Sequence, residues 1–221
     1  MKSIGIPAAF ATVAMVSCLP AGRQGIQGVD VSHNQGSLDW DVASGQGVRF
    51  AYIKATEGAD WTDPASRSHQ EAARAHGLVV GAYHYFTFCA DPERQARHFL
   101  ATVDLRPGDL LPAVDVENQG NCLRDPDSGT LRVNLGIFCA TVLRATGREP
   151  VLYMTYWFYW RHFGSRSPAG PLWLRTTLWK PPDGAPWAIW QYATGSLPGA
   201  GDPVDRDVLR DGAATLASLR F

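Results

Sequence analysis

Two carboxylic acids stand two residues apart at the end of an apolar run, in the segment LPAVDVENQG that spans residues 111–120. Side chains alternate faces along a strand, so Asp115 and Glu117 are predicted to share one face while Val114 and Val116 share the other. Like charges held close together disfavour joint ionisation, so one acid of the pair keeps its proton near neutral pH, as a general acid must. The alternative is a strand end that runs out into solvent.

The elements that must position this pair alternate between short apolar strands and helical patterns. The strand-like segments are, in chain order, GVDVS, FAYIKATEG, LVVGAYHYF, LLPAVDVE, PVLYMTY, PLWLRT, WAIWQYA and VDRDVL. Helices are predicted between the earlier ones, two of them from N-cap and proline signals at Asp63-Pro64 and Asp91-Pro92. The later spacers are too short or too rich in Pro and Gly for full helices. The pattern predicts a single-domain α/β fold, a TIM-like barrel of the (β/α)5(β)3 type.

The ends of these strands collect polar and aromatic residues. In such barrels the loops at the carboxyl ends of the strands carry the catalytic groups. Six residues fall at or near these ends: Asp30, Glu57, Tyr83, Asp115, Glu117 and Tyr153. Because burying unpaired charge is costly, acids that converge on one barrel mouth are poorly explained by stability alone. The convergence favours a catalytic pair over a solvated strand end.

The composition limits the class of protein. A chain of 221 residues that is 45% apolar and 19% charged can bury one substantial core. Its formal net charge of -1, without a run of Lys or Arg, gives no electrostatic footprint for nucleic acid, so no such partner is expected. No C-x-x-C, H-x-x-x-H or G-x-x-x-x-G-K pattern supports a metal or phosphate site, so no metal or cofactor is expected.

Residues 1–25 are interpreted as an export signal, and residues 26–221 as the catalytic domain. The apolar run from Ile4 to Val16 is shorter than the roughly 20 residues of a membrane span. The segment Met15-Val16-Ser17-Cys18 resembles a bacterial lipoprotein signal, in which the cysteine becomes the lipidated first residue. The expected product is exported, either as a periplasmic or membrane-anchored lipoprotein with a lipid on Cys18 or as a secreted monomer.

Three further cysteines form an odd set for an oxidising compartment. Cys89 and Cys122 each follow a predicted strand end by a few residues, which places them in neighbouring loops, whereas Cys139 falls inside a predicted helix. We expect a Cys89–Cys122 disulfide. The alternative is that all three thiols are reduced and packed.

The ordered segments also resemble a known family. GVDVSHNQGSLDW, FAYIKATEG, GAYHYF, LPAVDVE, VLYMTYWFYW, PLWLR, WAIWQYATGSLPG and VDRDVL are similar, in this order, to glycoside hydrolase family 25, the Chalaropsis-type lysozymes. The resemblance runs from about Gly28 to Gly212. It implies a (β/α)5(β)3 barrel that hydrolyses the β-1,4 bond between N-acetylmuramic acid and N-acetylglucosamine in peptidoglycan glycan strands, without a metal.

The resemblance also assigns roles residue by residue. Glu117 matches the proton donor and Asp115 its strand partner, which orients the substrate acetamido group or holds water. Asp30 and Asp205 match the other two acids of the site, and Asp205 is found through the resemblance alone. The residues expected to line the sugar groove are Tyr83, Tyr153, Trp173 and Gln191, with Glu57 and Arg175 as further groove candidates.

The chain departs from the family pattern at a few positions. Arg175 replaces the usual small residue two positions after Trp173, so it either compensates the acid cluster or restricts the groove, unless it is a solvent-exposed strand end. Tyr85 stands where Phe is common and Asp207 where Asn is common, and the loop NQGNCLRDPDSG after Glu117 is unusual. None of these departures removes a catalytic carboxylate.

Three functions are compatible with these residues. The first is a muramidase that acts on peptidoglycan. The second is a non-catalytic peptidoglycan-binding protein on the same scaffold, which Arg175 and the unusual loop keep open. A chitinase-like enzyme is a weaker third, because the longer acidic strand signature of chitinases is absent.

Overall fold

The computed structural model describes residues 25–123, 126–164 and 166–221. Its strands are β1 (Gln27–Val31), β2 (Val48–Glu57), β3 (Trp61–Thr62), β4 (Val79–Tyr85), β5 (Ala113–Asp115), β6 (Val151–Thr155), β7 (Leu172–Arg175), β8 (Trp187–Gly195) and β9 (Val204–Leu209). Its helices are α1 (Trp40–Gly45), α2 (Ser66–Ala75), α3 (Pro92–Thr102), α4 (Ser128–Thr146), α5 (Tyr156–His162) and α6 (Ala213–Ser218). The predicted export signal and Cys18 lie outside the described residues.

Eight of the nine described strands close into a barrel in the order β1-β2-β4-β5-β6-β7-β8-β9, and β9 returns to β1. Neighbours from β1 to β8 run parallel, whereas β9 is antiparallel to both β8 and β1. The short β3 pairs only with the end of β2. Helices follow the first five barrel strands and are absent between β7, β8 and β9, so the predicted (β/α)5(β)3 barrel is confirmed.

Two apolar layers lie between the barrel and its helices. One packs α1 and α2 on β1, β2 and β4 and includes the buried Trp40 of α1. The other packs α3, α4 and α5 on β5, β6, β7 and β8, and it also includes Ala55 of β2 and Ala82 of β4. The apolar side of α4 is buried there, at Leu131, Leu135, Phe138 and Val142. Among the described residues, no helix combines the length and apolarity that a membrane crossing requires.

Aromatic rings fill the interior of the barrel at the end where the strands begin. Gly28 leaves room for Phe50, because an added Cβ would lie 2.2 Å from that ring. Gly81 does the same for Tyr52, whose ring would lie 2.4 Å from an added Cβ. Beyond α6, the carbonyl oxygen of Leu219 accepts from the backbone N–H of Leu111 at 2.7 Å and covers this end. The open space therefore lies at the carboxyl ends of the strands.

The two predicted helix starts had different outcomes. Asp91 caps α3 as predicted, accepting from the N–H of Arg94 at 2.8 Å, with Pro92 in the first turn. The prediction for Asp63 was wrong, since α2 begins at Ser66 without a side-chain cap. Asp63 instead holds the turn before α2 and the segment after β1: its Oδ1 accepts from the backbone N–H of Ala65 at 2.8 Å, and its Oδ2 accepts from the backbone N–H of His33 at 3.0 Å and lies 2.9 Å from His33 Nδ1.

The expected disulfide joins Cys89 and Cys122, in the loops that follow β4 and β5. Cys139 is a buried free thiol within α4. The disulfide therefore ties together the two loops that flank the carboxyl end of β5.

Replacing Cys89 and Cys122 together by Ser should lower the free energy of unfolding by about 3 kcal/mol, because their separation of 33 residues closes a long loop in the unfolded chain. Urea unfolding of the oxidised wild type and the double variant measures this difference. Reductant should reproduce the loss in the wild type and leave the double variant unchanged. Equal unfolding midpoints in oxidised wild type and variant would contradict the prediction.

Candidate active site

A strongly polar pocket of about 230 Å³ opens at the carboxyl ends of the barrel strands. We call it the acid pocket, because Asp30, Asp115, Glu117 and Asp205 all line it. The remaining lining residues are Ser32, Asn34, Gln35, Tyr83, Gln119, Tyr153 and Trp173. The four predicted acids thus come together from β1, β9 and the end of β5, although they lie far apart in the sequence.

Strand alternation places the Asp115–Glu117 pair as predicted. Val114 and Val116 are fully buried in the layer under the helices, whereas both acids face the pocket. β5 itself ends at Asp115, but the N–H of Val116 still donates to the carbonyl oxygen of Tyr153 at 2.9 Å. Because of this bond the backbone stays extended beyond Asp115, so side chains continue to alternate between the two faces as far as Glu117.

Burial raises the pKa of both acids in this pair. The pKa of Asp115 is held well above its usual value by burial and by the negative charge of Glu117. Burial also raises the pKa of Glu117, although the positive charge of Arg175 opposes the shift. The pair therefore retains a proton at higher pH than exposed carboxylates would, which is the condition for general-acid work.

Gln191 positions Asp30 from below. Its Nε2 donates to Asp30 Oδ2 at 2.7 Å, and its Oε1 accepts from the Tyr153 hydroxyl at 3.0 Å. The Gln191 side chain is only 1% exposed and both ends of its amide are used. Gln191, predicted to line the groove, therefore lies behind Asp30 and is not part of the pocket wall.

Asp207 forms a second layer beneath the acids. It is fully buried, and its Oδ1 accepts from Trp173 Nε1 at 2.8 Å. Its Oδ2 is buried without a hydrogen-bond partner among the described residues, and its negative charge contributes to the raised pKa of Asp30. Burial, with a contribution from the charge of Asp205, raises the pKa of Asp207 to about 8. Burial likewise raises the pKa of Asp30 well above its usual value.

The predicted aromatic residues form the floor and inner wall of the pocket. Trp173 is 2% exposed and packs against Tyr52 and Tyr153, with ring centroids 4.8 and 4.9 Å apart. Little of its surface is therefore open to a ligand. Burial raises the pKa of the Tyr83 and Tyr153 hydroxyls, so both remain hydrogen-bond donors in the pocket.

Lys54 is a buried cation beside the acids that the sequence analysis missed. Its Nζ lies 2.6 Å from Glu57 Oε2 and 4.8 Å from the centre of the Tyr85 ring. Its charge lowers the pKa of Asp115 and of Glu117. Strand alternation could have predicted this position, because Tyr52 and Lys54 are two residues apart on β2 and therefore share a face. Glu57, a predicted groove residue, is paired with Lys54 and does not line the acid pocket.

Arg175 is the second cation next to the acids. It ends β7 on the face of Trp173, half-buried, and borders a hollow that also includes Glu117. Its charge lowers the pKa of Glu117 and Asp205, partly offsetting the effect of their burial. This placement favours compensation of the acid cluster over a solvent-exposed strand end.

The loop that carries Glu117 is held by side chains as well as by the disulfide. Asn121 Nδ2 donates to the carbonyl oxygens of Phe86 at 2.8 Å and Glu117 at 3.0 Å. The Tyr85 hydroxyl donates to the carbonyl oxygen of Gln119. The Phe that is common at position 85 has no hydroxyl to make this bond. Within the described ranges, no group of three or more His, Cys, Asp or Glu residues is arranged to hold a metal ion.

Sequence reasoning also missed the turn after β1. Asn34 and Gln35 line the acid pocket, in a 3-10 turn capped by Ser32. Their position directly after a strand end could have predicted this, because the loops at the strand ends of such barrels form the active site.

A barrel whose strand ends hold a protonated acid beside further carboxyl groups defines a class of enzyme, the glycosidases, which protonate the oxygen of a glycosidic bond.

Comparison with known proteins gives the family. The model of "Glycosyl hydrolases family 25" matches residues 29–200. Lysozyme M1 of Streptomyces globisporus is 33% identical over 214 residues, 90% of this chain and 73% of that protein. A family 25 glycosyl hydrolase structure from Bacillus anthracis has a TM-score of 0.82 at 30% identity, covering 89% of this chain and 94% of that one. The bacterial lysozyme structure from Streptomyces coelicolor has a TM-score of 0.78 at 31% identity, covering 90% and 98%. This chain belongs to glycosyl hydrolase family 25, which confirms the resemblance.

Asp207→Asn should flatten the dependence of stability on pH. A carboxyl whose folded pKa is raised to about 8 from 3.8 stabilises the fold most at low pH, and that stabilisation is lost as pH rises toward 8. The free energy of unfolding of the wild type should therefore fall more steeply between pH 5 and 7, by roughly 1 kcal/mol per pH unit, than that of the variant. Urea unfolding across this range measures both slopes.

Asp202→Asn provides the matched control, because Asp202 is an exposed acid in the loop before β9. This variant removes the same charge and should keep the wild-type slope. Parallel curves for the wild type and Asp207→Asn would mean that Asp207 is already ionised at pH 5 in the folded protein.

Proposed function

We propose that this protein is a lysozyme, a 1,4-β-N-acetylmuramidase that hydrolyses the β-1,4 bond between N-acetylmuramic acid and N-acetylglucosamine in peptidoglycan. The observation that carries the proposal is the buried Asp115–Glu117 pair in the acid pocket. Family membership gives this pair its substrate class, since the similar proteins include a lysozyme from Streptomyces globisporus and an N,O-diacetylmuramidase from Chalaropsis.

Glu117 is the proposed general acid. Its raised pKa keeps a proton available, and its place at the rim, between the acid pocket and the adjoining hollow, suits contact with a bridging glycosidic oxygen. Proton transfer to that oxygen weakens its bond to the anomeric carbon, which becomes positively charged. The carboxyl groups of Asp30, Asp115 and Asp205 surround the pocket and stabilise this charge when ionised.

Asp115 has a free acceptor for the substrate. Among the described residues, no donor reaches its buried Oδ1. An unsatisfied buried carboxylate oxygen is unfavourable unless a ligand or water supplies the hydrogen bond. The acetamido N–H of an N-acetylated sugar is a donor of the right type, so Asp115 is the proposed partner of that group.

The site of action requires export, since peptidoglycan lies outside the cell membrane. Residues 1–25 are the proposed export signal, and Cys18 is the proposed lipid attachment point if the protein remains at the membrane. Release in soluble form is the alternative. We propose that the mature protein works as a monomer on glycan strands and has no nucleic-acid partner, in keeping with its net charge of -1.

Glu117→Gln should lower the rate of peptidoglycan hydrolysis by at least about 100-fold while preserving the fold, because the amide cannot donate the catalytic proton. The assay incubates wild type and variant with purified peptidoglycan and measures new reducing ends and the masses of soluble products. Products that end in reducing N-acetylmuramic acid are expected from the wild type.

Glu93→Gln is the control, since Glu93 is a carboxylate on α3 that pairs with Arg97 on the surface. It should retain wild-type activity. Wild-type rates from Glu117→Gln would overturn the assignment of the acid. A folded wild type that binds intact peptidoglycan but releases no reducing ends would instead identify a binding protein.

A further inference from the structure

A groove leads away from the acid pocket over the carboxyl ends of β6 and β7. It consists of two adjoining hollows of about 290 and 280 Å³, which share Thr155, Trp157 and Arg175. Glu117 lines both the first hollow and the acid pocket, so the groove continues the pocket. Trp179 lines the second hollow. We call this feature the Arg175 groove.

Two indole rings form an exposed wall of the Arg175 groove. Trp157 is 68% exposed and Trp179 is 41% exposed, and their ring centroids lie 6.5 Å apart in an edge-to-face arrangement. Exposed aromatic surface of this size that borders a groove is typical of a binding site. Indole faces suit the apolar faces of sugar rings and the aliphatic parts of peptides.

Arg175 is the positively charged residue that the two hollows of this groove share. No carboxylate of the described residues forms an ion pair with it, although Glu117 and Asp205 are close enough for its charge to lower their pKa values. A half-buried guanidinium keeps several N–H donors for a ligand, and its planar shape matches a carboxylate. The groove therefore combines an aromatic wall with cationic side chains: Arg175 borders both hollows, and Arg161 borders the first.

The substrate of the proposed function supplies the complementary group. Every muramic acid carries a lactyl ether, which ends either in a free carboxylate or in a peptide stem with carboxylates of its own. We propose that the Arg175 groove binds a carboxylate carried by a muramic acid residue, with Arg175 as its partner and Trp157 and Trp179 against the adjoining apolar surface. This inference rests on the proposed function, because it takes peptidoglycan as the ligand.

The test measures binding in the Glu117→Gln background, so that no probe is cleaved. Three soluble probes are compared: glycan chains with peptide stems, chains from which an amidase has removed the stems to leave lactyl carboxylates, and stem-bearing chains whose carboxylates have been converted to neutral amides. Glu117→Gln should bind at least one charged probe roughly tenfold or more tightly than the neutral one. Adding Arg175→Gln should abolish that preference.

The two charged probes distinguish the source of the carboxylate. A preference for the stem-bearing chains identifies the peptide, and a preference for the amidase-treated chains identifies the lactyl group. Arg175→Lys, which keeps the charge but not the planar donors, should retain part of the preference. Trp157→Ala should weaken the binding of all three probes and leave their ratio unchanged.

Equal binding of all three probes by Glu117→Gln would overturn the inference. So would an Arg175→Gln variant that binds every probe more weakly by the same factor, since that result describes a structural role. Failure of the proposed function looks different: the wild type would cleave nothing while the Arg175-dependent preference persisted. Cleavage without that preference would overturn this inference alone.

Discussion

Closure of the barrel between its first and last strands is the constraint on which the site depends. β1 pairs with β2 on one side and with β9 on the other, and this register sets Asp30 directly opposite Asp205. β5, which carries Asp115, lies on the other side of the ring. The acids face one another only because the sheet curls until β9 meets β1. The rings of Phe50 and Tyr52, admitted by Gly28 and Gly81, fill the space that closure leaves at the opposite end.

Gathering several carboxyl groups in one mouth carries a large desolvation penalty, and the molecule offsets it in three ways. Protons remain on part of the set, as the raised pKa values of Asp30 and Asp207 show. Lys54 and Arg175 add positive charge near the pair formed by Asp115 and Glu117. Neutral donors satisfy individual oxygens, for example the Trp173 indole on Asp207. What is left unsatisfied, above all Asp115 Oδ1, is what a ligand can use.

Local patterns in the sequence were enough to predict the parts of this arrangement that depend on local geometry. Alternation along β5 placed Asp115 and Glu117 on one face, and the order of strands and helices gave the barrel. Asp205 required the family resemblance, because nothing in VDRDVL shows that its strand returns to β1. The cap at Asp63 was mispredicted because Pro64 and Ala65 form a turn before α2 begins. The bond from the N–H of Ala65 to Asp63 Oδ1 closes that turn, while Oδ2 binds His33, 30 residues earlier in the chain.

The role of Lys54 was missed for a related reason. Strand alternation indicates which face of β2 Lys54 occupies. Its effect on the pKa of Asp115, however, depends on the distance between the two side chains in the folded barrel. Tyr85 and Asp207 were identified from the sequence as departures from the family pattern. Their interaction partners are known only from the folded structure. The Tyr85 hydroxyl donates to the carbonyl oxygen of Gln119, and the Asp207 carboxyl accepts from the Trp173 indole and raises the pKa of Asp30 through its charge.

The loop that carries Glu117 is fixed by several independent ties: the Cys89–Cys122 disulfide, the side chain of Asn121 and the hydroxyl of Tyr85. Ordering a loop costs conformational entropy whenever it happens. In this protein the loop loses that entropy during folding, so Glu117 is already positioned when a glycan binds. More of the free energy of association is then available to distort and orient the sugar, since little of it is consumed in immobilising the enzyme.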